Sequence, residues 1–409
     1  MNAQISKKIP FLNNAVFVTF LLLPYFKPAS LQYIAPQLEN VFNILKIFSL
    51  VVGLGLYIYK RKISKTILAI IIYEVVLFAC TFINDGDYWS ILVNCGSIVS
   101  FSMLMELGIK NDCRVVFKSI FFIYFIFVLV NLILIFMYPD GLAHDTYYYN
   151  KYNFLAIDNG LSPIFIPVIS LSIIYAEFNK KASSLNFVLL VMISITVIIT
   201  WSATGVMMWF LMMLYVVFVY RKKLMSVLNI KVLYIAFAVL EIAIVFFRVQ
   251  EIFAYIIEDI LGKSLTFTGR TIIWDSSMGL IRNSPFIGYG VYEGHGLILY
   301  GGKYMYAHNG VLEILLQGGI IALIAYVSVF VISGNILYKY RNNRIAGIIS
   351  AAIFSMLTGM LMESFHNSIL LYALLISACC MPEIIEQYEN NTVKPTSFLL
   401  KLKANKYKR

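Results

Sequence analysis

Apolar stretches of about 20 residues follow one another along this chain, parted by short polar breaks. Twelve can be marked, at about 10–26, 41–59, 66–84, 88–107, 115–137, 160–177, 185–201, 203–220, 230–248, 310–338, 345–363 and 366–382. A run of that length spans ~30 Å of hydrocarbon as a helix. Inside hydrocarbon every backbone polar group needs an internal partner, so these runs predict helices. The expected fold is all-α: a polytopic membrane protein with about 12 transmembrane helices, residues 1–409 forming one integral membrane domain. No internal repeat is visible, and the two halves share no motif. That counts against an inverted-repeat transporter.

The polar breaks alternate in sign. One set holds Lys7 and Lys8; Lys60, Arg61, Lys62 and Lys65; Lys110, Arg114 and Lys118; Lys180 and Lys181; Arg221, Lys222, Lys223 and Lys231; and Lys339, Arg341 and Arg344. With the basic tail, 24 of the 32 lysines and arginines fall on one side. Basic loops mark the cytoplasm, so both termini are expected there. The tail over 383–409 reads as a basic cytoplasmic segment near anionic lipid. The other breaks are neutral or acidic, with Asp85, Asp87, Asp140, Asp145 and Asp158, and they hold all four histidines, His144, His295, His308 and His366. Two outer loops are long. One, at about 138–159, is rich in tyrosine; the other covers 249–309.

Composition agrees with this picture. The chain of 409 residues is 60% hydrophobic and 13% charged, with a mean hydropathy of +0.82. A soluble domain carries roughly 25% charged residues. The net charge of +11 is spent on the cytoplasmic breaks, and no nucleic-acid motif accompanies it. The five cysteines form no C-x-x-C pair, so no zinc or redox site is expected. The first apolar segment has no small-residue cleavage site after it and reads as a retained span. Glu74 and Glu241 lie mid-span, where carboxylates are costly and often functional; a pore-lining or helix-bridging role is equally open. Lys46 is a candidate to snorkel or to pair with one of them.

The loop over 249–309 carries most of the candidate chemistry. Trp274, Met278 and Ile281 recur at i, i+4 and i+7, which predicts a short amphipathic helix. Thr268 is placed to cap it, and Asn283-Ser284-Pro285 to end it; Gly288-Tyr289-Gly290 reads as a turn. Such a helix suits the membrane interface, with Trp274 among headgroups. Arg270 sits in its first turn, against the helix dipole. A residue placed against local preference is a functional candidate, the plain alternative being a solvated arginine. His308 opens the next helix above Leu312 and Leu315. Histidine is the side chain best suited to take a proton near neutral pH; the plain alternative is a hydrogen-bonded interfacial histidine. Asn309 is placed to cap that helix and Glu313 to neutralise its start. Gly318-Gly319 permits a kink or a close helix approach, and packing is the expected reason.

Together T-G-R-x3-W, N-S-P-x-I-G-Y-G and A-H-N-x2-L-E-x-L-x2-G-G resemble the superfamily of O-antigen ligases and Wzy-type polysaccharide polymerases, over roughly 185–335. The resemblance implies transfer of a glycan from a polyprenyl-pyrophosphate carrier to an acceptor at the outer face of the bacterial cytoplasmic membrane, without cofactor or metal. It assigns Arg270 to the pyrophosphate and His308 to the proton of the attacking sugar hydroxyl. Arg248, Arg282, Trp274, Asn309 and Glu313 are the accompanying candidates for substrate binding. One departure stands out. Many members carry an arginine where this chain has Ala203, in Thr200-Trp201-Ser202-Ala203-Thr204-Gly205. Arg248, Lys263, Arg282 and Lys303 are the alternatives for that missing cation.

The expected activity is therefore a polysaccharide polymerase of a capsule, O-antigen or exopolysaccharide pathway. Its expected partners are a polyprenyl-pyrophosphate-linked oligosaccharide, membrane lipids, a flippase and a chain-length regulator, with no nucleic acid. An O-antigen-type ligase is the alternative within the class. A flippase or other transporter is the alternative outside it, but transporters place charge and broken helices at the midplane, whereas here the polar residues gather in an outer loop.

Overall fold

The computed structural model describes residues 9–60, 63–145, 149–218, 226–249, 269–292 and 296–391. Thr268, Lys263, His295, several of the basic loop residues and the tail beyond 391 lie outside the described residues.

Helices occupy every one of the twelve apolar segments as far as these are described. They are α1 (Ala15–Leu22), α2 (Leu31–Ile34), α3 (Pro36–Lys60), α4 (Lys65–Ile83), α5 (Tyr88–Met137), α6 (Asp158–Phe178), α7 (Ser183–Thr200), α8 (Ala203–Phe218), α9 (Ile230–Glu241), α10 (Arg270–Asn283), α11 (Gly310–Lys339), α12 (Arg344–Met360) and α13 (Ile369–Cys379). The long α5 is broken at Asp112, whose φ of −155° and ψ of 101° leave the helical region. Its two halves coincide with two of the expected segments. Among the described residues six helices are long and apolar enough to cross a membrane, or seven if the bent pair Ile369–Cys379 and Met381–Asn391 is one span; Ala15–Phe26, Ala203–Phe218 and Arg344–Met360 are shorter apolar helices.

Starts are set by side chains that accept from free N–H groups of a first turn. Ser64, Asp87, Asn229, Asn309 and Asn343 do this for α4, α5, α9, α11 and α12. The centre of the bundle is α6, α12 and α13, with Phe165, Ile169, Ile349, Ile353, Tyr372 and Leu375 fully enclosed. The outer helix α3 instead exposes Ile44, Ile47, Val51 and Ile58. Exposed aliphatic side chains on a spanning helix meet lipid tails of the same polarity.

Among the described residues two small hairpins stand outside the helices. Strand β1 (Ala143–His144) pairs antiparallel with β2 (Lys151–Tyr152), and β3 (Ile298–Tyr300) with β4 (Lys303–Met305). The second closes through Gly301 and Gly302, with φ of 59° and 79°. Positive φ at both central residues makes the tight turn that matches strand twist. Neither hairpin is among the sequence expectations.

The polar excursion is pinned to the bundle by an exchange of backbone bonds. Helix α11 is interrupted at Gly319, with φ of 60° and ψ of −162°. The chain 285–290 lies across that break. Tyr289 and Gly290 N–H donate to Leu316 O and Gln317 O at 2.7 and 2.9 Å, and Ile320 N–H donates to Pro285 O at 2.9 Å. Groups orphaned by the broken helix are thus satisfied from outside it. A Cβ on Gly319 would meet Phe286 C at 2.2 Å, and one on Gly288 would meet Leu316 O at 2.4 Å. The glycines are there for backbone-to-backbone contact. Beyond the crossing, Val291 N–H donates to Thr81 Oγ1 at 3.0 Å and Asp87 N–H to Val291 O at 2.9 Å, tying the excursion to α4 and α5.

Candidate functional site

The expected helix of the outer loop is present as α10. It ends at Asn283, as its sequence indicated, and it begins after Gly269 at φ 87°. Trp274 is not an interfacial anchor. Its side chain is 0% exposed and packs with Val245, Ile273, Ile298, Ala307, Leu312 and Leu316. The apolar stripe of α10 faces the start of α11 and the β3–β4 hairpin instead of headgroups. The indole is fully enclosed and packs inside the protein. That packing sets the site, because Arg270 lies one turn before Trp274 and His308 just before α11.

Both residues reach Glu363. His308 Nδ1 lies 3.2 Å from Glu363 Oε2, and Arg270 Nη2 is paired with Glu363 Oε1. Asn159 Nδ2 donates to the same Oε1 at 2.9 Å, and Ser202 Oγ donates to Asn159 Oδ1 at 2.7 Å. One carboxylate therefore gathers residues from the starts of α6, α8, α10 and α11. It is carried on a turn after α12, where Glu363 N–H donates to Gly359 O at 3.1 Å. The Glu363 side chain is 14% exposed and that of His308 33%, so the pair faces outward from a mostly enclosed seat.

The backbone of His308 is left-handed, with φ of 48°, uncommon for any residue but glycine. Its neighbours hold it there. Ala307 N–H donates to Glu313 Oε2 at 2.7 Å. Asn309 Oδ1 accepts from Leu312 N–H at 2.9 Å, while its Nδ2 donates to Glu241 Oε1 at 2.9 Å and Leu361 O at 3.2 Å. Glu313 Oε1 accepts from Gln317 Nε2 at 2.9 Å, and Gln317 Oε1 lies 3.2 Å from His366 Nε2. Asn309 and Glu313 are thus buried and bonded within the protein. In this structure their bonds shape the His308 turn. Glu241 bridges to Asn309, and Glu74 accepts from Tyr372 Oη at 3.3 Å, so each mid-span carboxylate has a helix-bridging bond. Among the described residues Lys46 forms no ion pair with either.

The other basic candidates separate clearly. Arg248 Nη2 donates to Thr271 O at 3.1 Å and pairs with Asp275 Oδ1 at 2.5 Å; its guanidinium lies 5.6 Å from the Trp274 ring centre. It is therefore beside the first turn of α10, next to Arg270. Arg282 is exposed in the last turn, roughly 18 Å farther along that helix at 1.5 Å per residue. Lys303 Nζ sits 4.8 Å over the Tyr149 ring. Ala203 is exposed at the start of α8, one residue from Ser202 and hence beside the Glu363 group. Tyr306 is also close: partial burial and the carboxylate of Glu313 raise its phenol above the ordinary value.

Glu363, Asn159 and Ser202 are absent from the sequence expectations. The available signal was a carboxylate at the outer end of the segment 345–363. It is weak, because a glutamate at a span boundary is usually just solvated.

Residues 187–327 match the O-antigen ligase family. The match contains Ala203, Arg270 and His308 and stops short of Glu363. The matched stretch is about a third of the chain, and the apolar helices are those of a multi-pass membrane protein. No curated protein and no solved structure matches the chain.

Proposed function

We propose that this chain is a polysaccharide polymerase of the bacterial cytoplasmic membrane. It moves a growing glycan from polyprenyl pyrophosphate to a sugar hydroxyl of a second lipid-linked repeat unit, at the outer face, with both termini in the cytoplasm. The match over 187–327 is the premise, and one observation carries the reading: His308 and Arg270 share Glu363.

The chemistry follows from that sharing. An Nδ1–H bonded to a carboxylate leaves the lone pair of Nε2 as the acceptor on the open side of the ring. The acceptor hydroxyl oxygen attacks the anomeric carbon while its proton passes to Nε2. The bond from that carbon to the pyrophosphate oxygen breaks, with inversion, and the electron pair leaves on polyprenyl pyrophosphate. Glu363 orients the ring and then stabilises the imidazolium, as a carboxylate does behind a catalytic histidine. The departing negative charge meets Arg270, whose guanidinium keeps donors beyond those used on Glu363. It also meets the positive end of α10. An arginine that disfavours the helix dipole is thereby well placed for an anion. Arg248, beside it, is our choice for the cation missing at Ala203.

A second reading has one observation in its favour: the matched family is described as O-antigen ligase. In that reading the same residues hand a finished polymer to a different acceptor. Cells with His308→Ala or Arg270→Ala decide between them. The expected result is stable, inserted protein and no long-chain polymer, with single repeat units still reaching the outer face. Polymer that forms but stays unattached would favour the ligase. Single units held on the cytoplasmic side would favour a transporter, and normal polymer in both variants would sink the site assignment.

A further inference from the structure

A small polar crevice lies between α4, α5, α11 and the turn that carries Glu363. Tyr73, Glu74, Asn94, Gln317, His366 and Asn367 line it. Glu363 and His366 sit on the same turn, so one short segment serves His308 with the first and the crevice with the second. Tyr73, Glu74 and His366 are buried, whereas Asn94 and Asn367 are exposed. The hydrogen bonds fix the state of the His366 ring. Gln317 Nε2 donates to Glu313 Oε1 at 2.9 Å, so Gln317 Oε1 is left to accept, and it lies 3.2 Å from His366 Nε2. Nε2 therefore carries the proton, and in a neutral ring Nδ1 is then a bare acceptor. Among the described residues that Nδ1 has no hydrogen-bond partner, and neither has Tyr73 Oη. Glu74 accepts from Tyr372 Oη and keeps lone pairs beyond that bond. The crevice has a volume of about 40 Å³, more than the roughly 10–15 Å³ that one water needs.

We infer that the crevice holds bound water, and that this water locks His366 and Gln317 as positioning residues for His308. The inference rests on the polymerase reading of His308 and adds what supports that residue from behind. Water in the crevice donates to His366 Nδ1 and to Glu74 and accepts from Tyr73 Oη, three bonds, the usual number for a buried water. Buried polar groups are satisfied in this way when the protein itself offers no partner. A donor on Nδ1 keeps the ring proton on Nε2, because the bond made by one ring nitrogen sets the state of the other. With the proton on Nδ1, two acceptors would face each other at Gln317 Oε1. From Gln317 the support runs to Glu313, whose Oε2 accepts from Ala307 N–H at 2.7 Å, next to the left-handed His308. Tyr326 Oη donates to the carbonyl of His366 at 3.3 Å, so its backbone is already held and the ring is what the water fixes.

Two measurements on the full-length protein test this. A structure that shows ordered waters is expected to place density within hydrogen-bond distance of His366 Nδ1 and Tyr73 Oη, and a dry crevice would overturn the water. Rates on lipid-linked repeat units, taken per folded protein, test the positioning. His366→Phe keeps the bulk and loses both nitrogens. It is expected to lower kcat about 10- to 100-fold, the loss that a displacement of about 1 Å brings, with KM within about twofold. His366→Gln sets an amide nitrogen where Nε2 was and should recover most of kcat. His366→Asn, which reaches only as far as Nδ1, should not. Unchanged kcat in His366→Phe, or a rise in KM alone, would overturn the positioning role, and so would asparagine recovering as well as glutamine. Gln317→Leu added to His366→Phe should cost no more than either change alone, since both break one chain; losses that multiply would overturn that chain. His308→Ala, run alongside, separates the premises. Normal polymer there would overturn the polymerase site and the positioning role with it, while the density at His366 would still decide the water.

Discussion

His308 Nδ1 stands 3.2 Å from Glu363 Oε2, across 55 residues of chain, while the other oxygen of that carboxylate is held by Arg270 and Asn159. The proposed proton acceptor and the proposed pyrophosphate-binding cation thus share one carboxylate. Glu363→Gln keeps the volume but removes the charge that fixes the ring and stabilises its protonated form. We expect polymer formation to fall about 10²- to 10⁴-fold, the range for losing an acid–base function or its support. Rates of purified protein on lipid-linked repeat units measure this. A variant within threefold of wild type would remove Glu363 from the mechanism.

Arg270→Lys keeps the positive charge and loses the planar fork. A lysine ammonium can still pair with Glu363 but cannot bind that carboxylate and a pyrophosphate in parallel geometry. We expect little recovery over Arg270→Ala, with both at least about 10²-fold down, the loss typical of one preorganised donor at a developing negative charge. Full activity of the lysine variant would mean that charge alone suffices there.

Much of this site was legible in the sequence, and the reasons differ by residue. Arg270 was visible because it sits against the dipole of a helix whose period was plain. His308 was visible because a lone histidine tops an apolar stripe. Glu363 was not, since its partners are 93 and 55 residues away in the chain and nothing local marks it. Trp274 was misread for a related reason. Periodicity identifies the apolar face of a helix but not what that face meets, and here it meets α11. The helical segments were legible throughout because hydrocarbon leaves no alternative to a helix. Gly301-Gly302 was a hairpin signal that the apolar pattern overshadowed.

Asn309 separates a structural from a substrate-binding role. Asn309→Asp preserves the cap to Leu312 N–H but replaces the donor on Glu241 with a second carboxylate, buried beside the first. Two acceptors without a proton between them repel, and a buried unsatisfied polar group costs about 1–3 kcal/mol. We expect a clear fall in melting temperature in detergent. Asn309→Ala, which loses the cap at about 1 kcal/mol, should fall less if the Glu241 contact dominates. Unchanged stability in both would argue that Asn309 acts on substrate.

Gly319 tests whether the backbone crossing holds Arg270 in place. Its φ of 60° and ψ of −162° fall in a region open almost solely to glycine, where other residues are strained by about 1–3 kcal/mol. An alanine Cβ would also press on Phe286 O at 2.3 Å and Ile287 N at 2.5 Å, both backbone atoms that cannot rotate away. Gly319→Ala should therefore push the 285–290 segment off α11 and break the bonds at Leu316, Gln317 and Ile320. Helix α10 would lose the anchor at its C-terminal end, and Arg270 would lose its register with Glu363. The expected outcome is a lower melting temperature together with activity reduced at least about tenfold. Gly279→Ala, on the same helix with open space around its Cβ, should leave both unchanged or raise stability slightly. If Gly319→Ala melts and works like wild type, the crossing does not position the site.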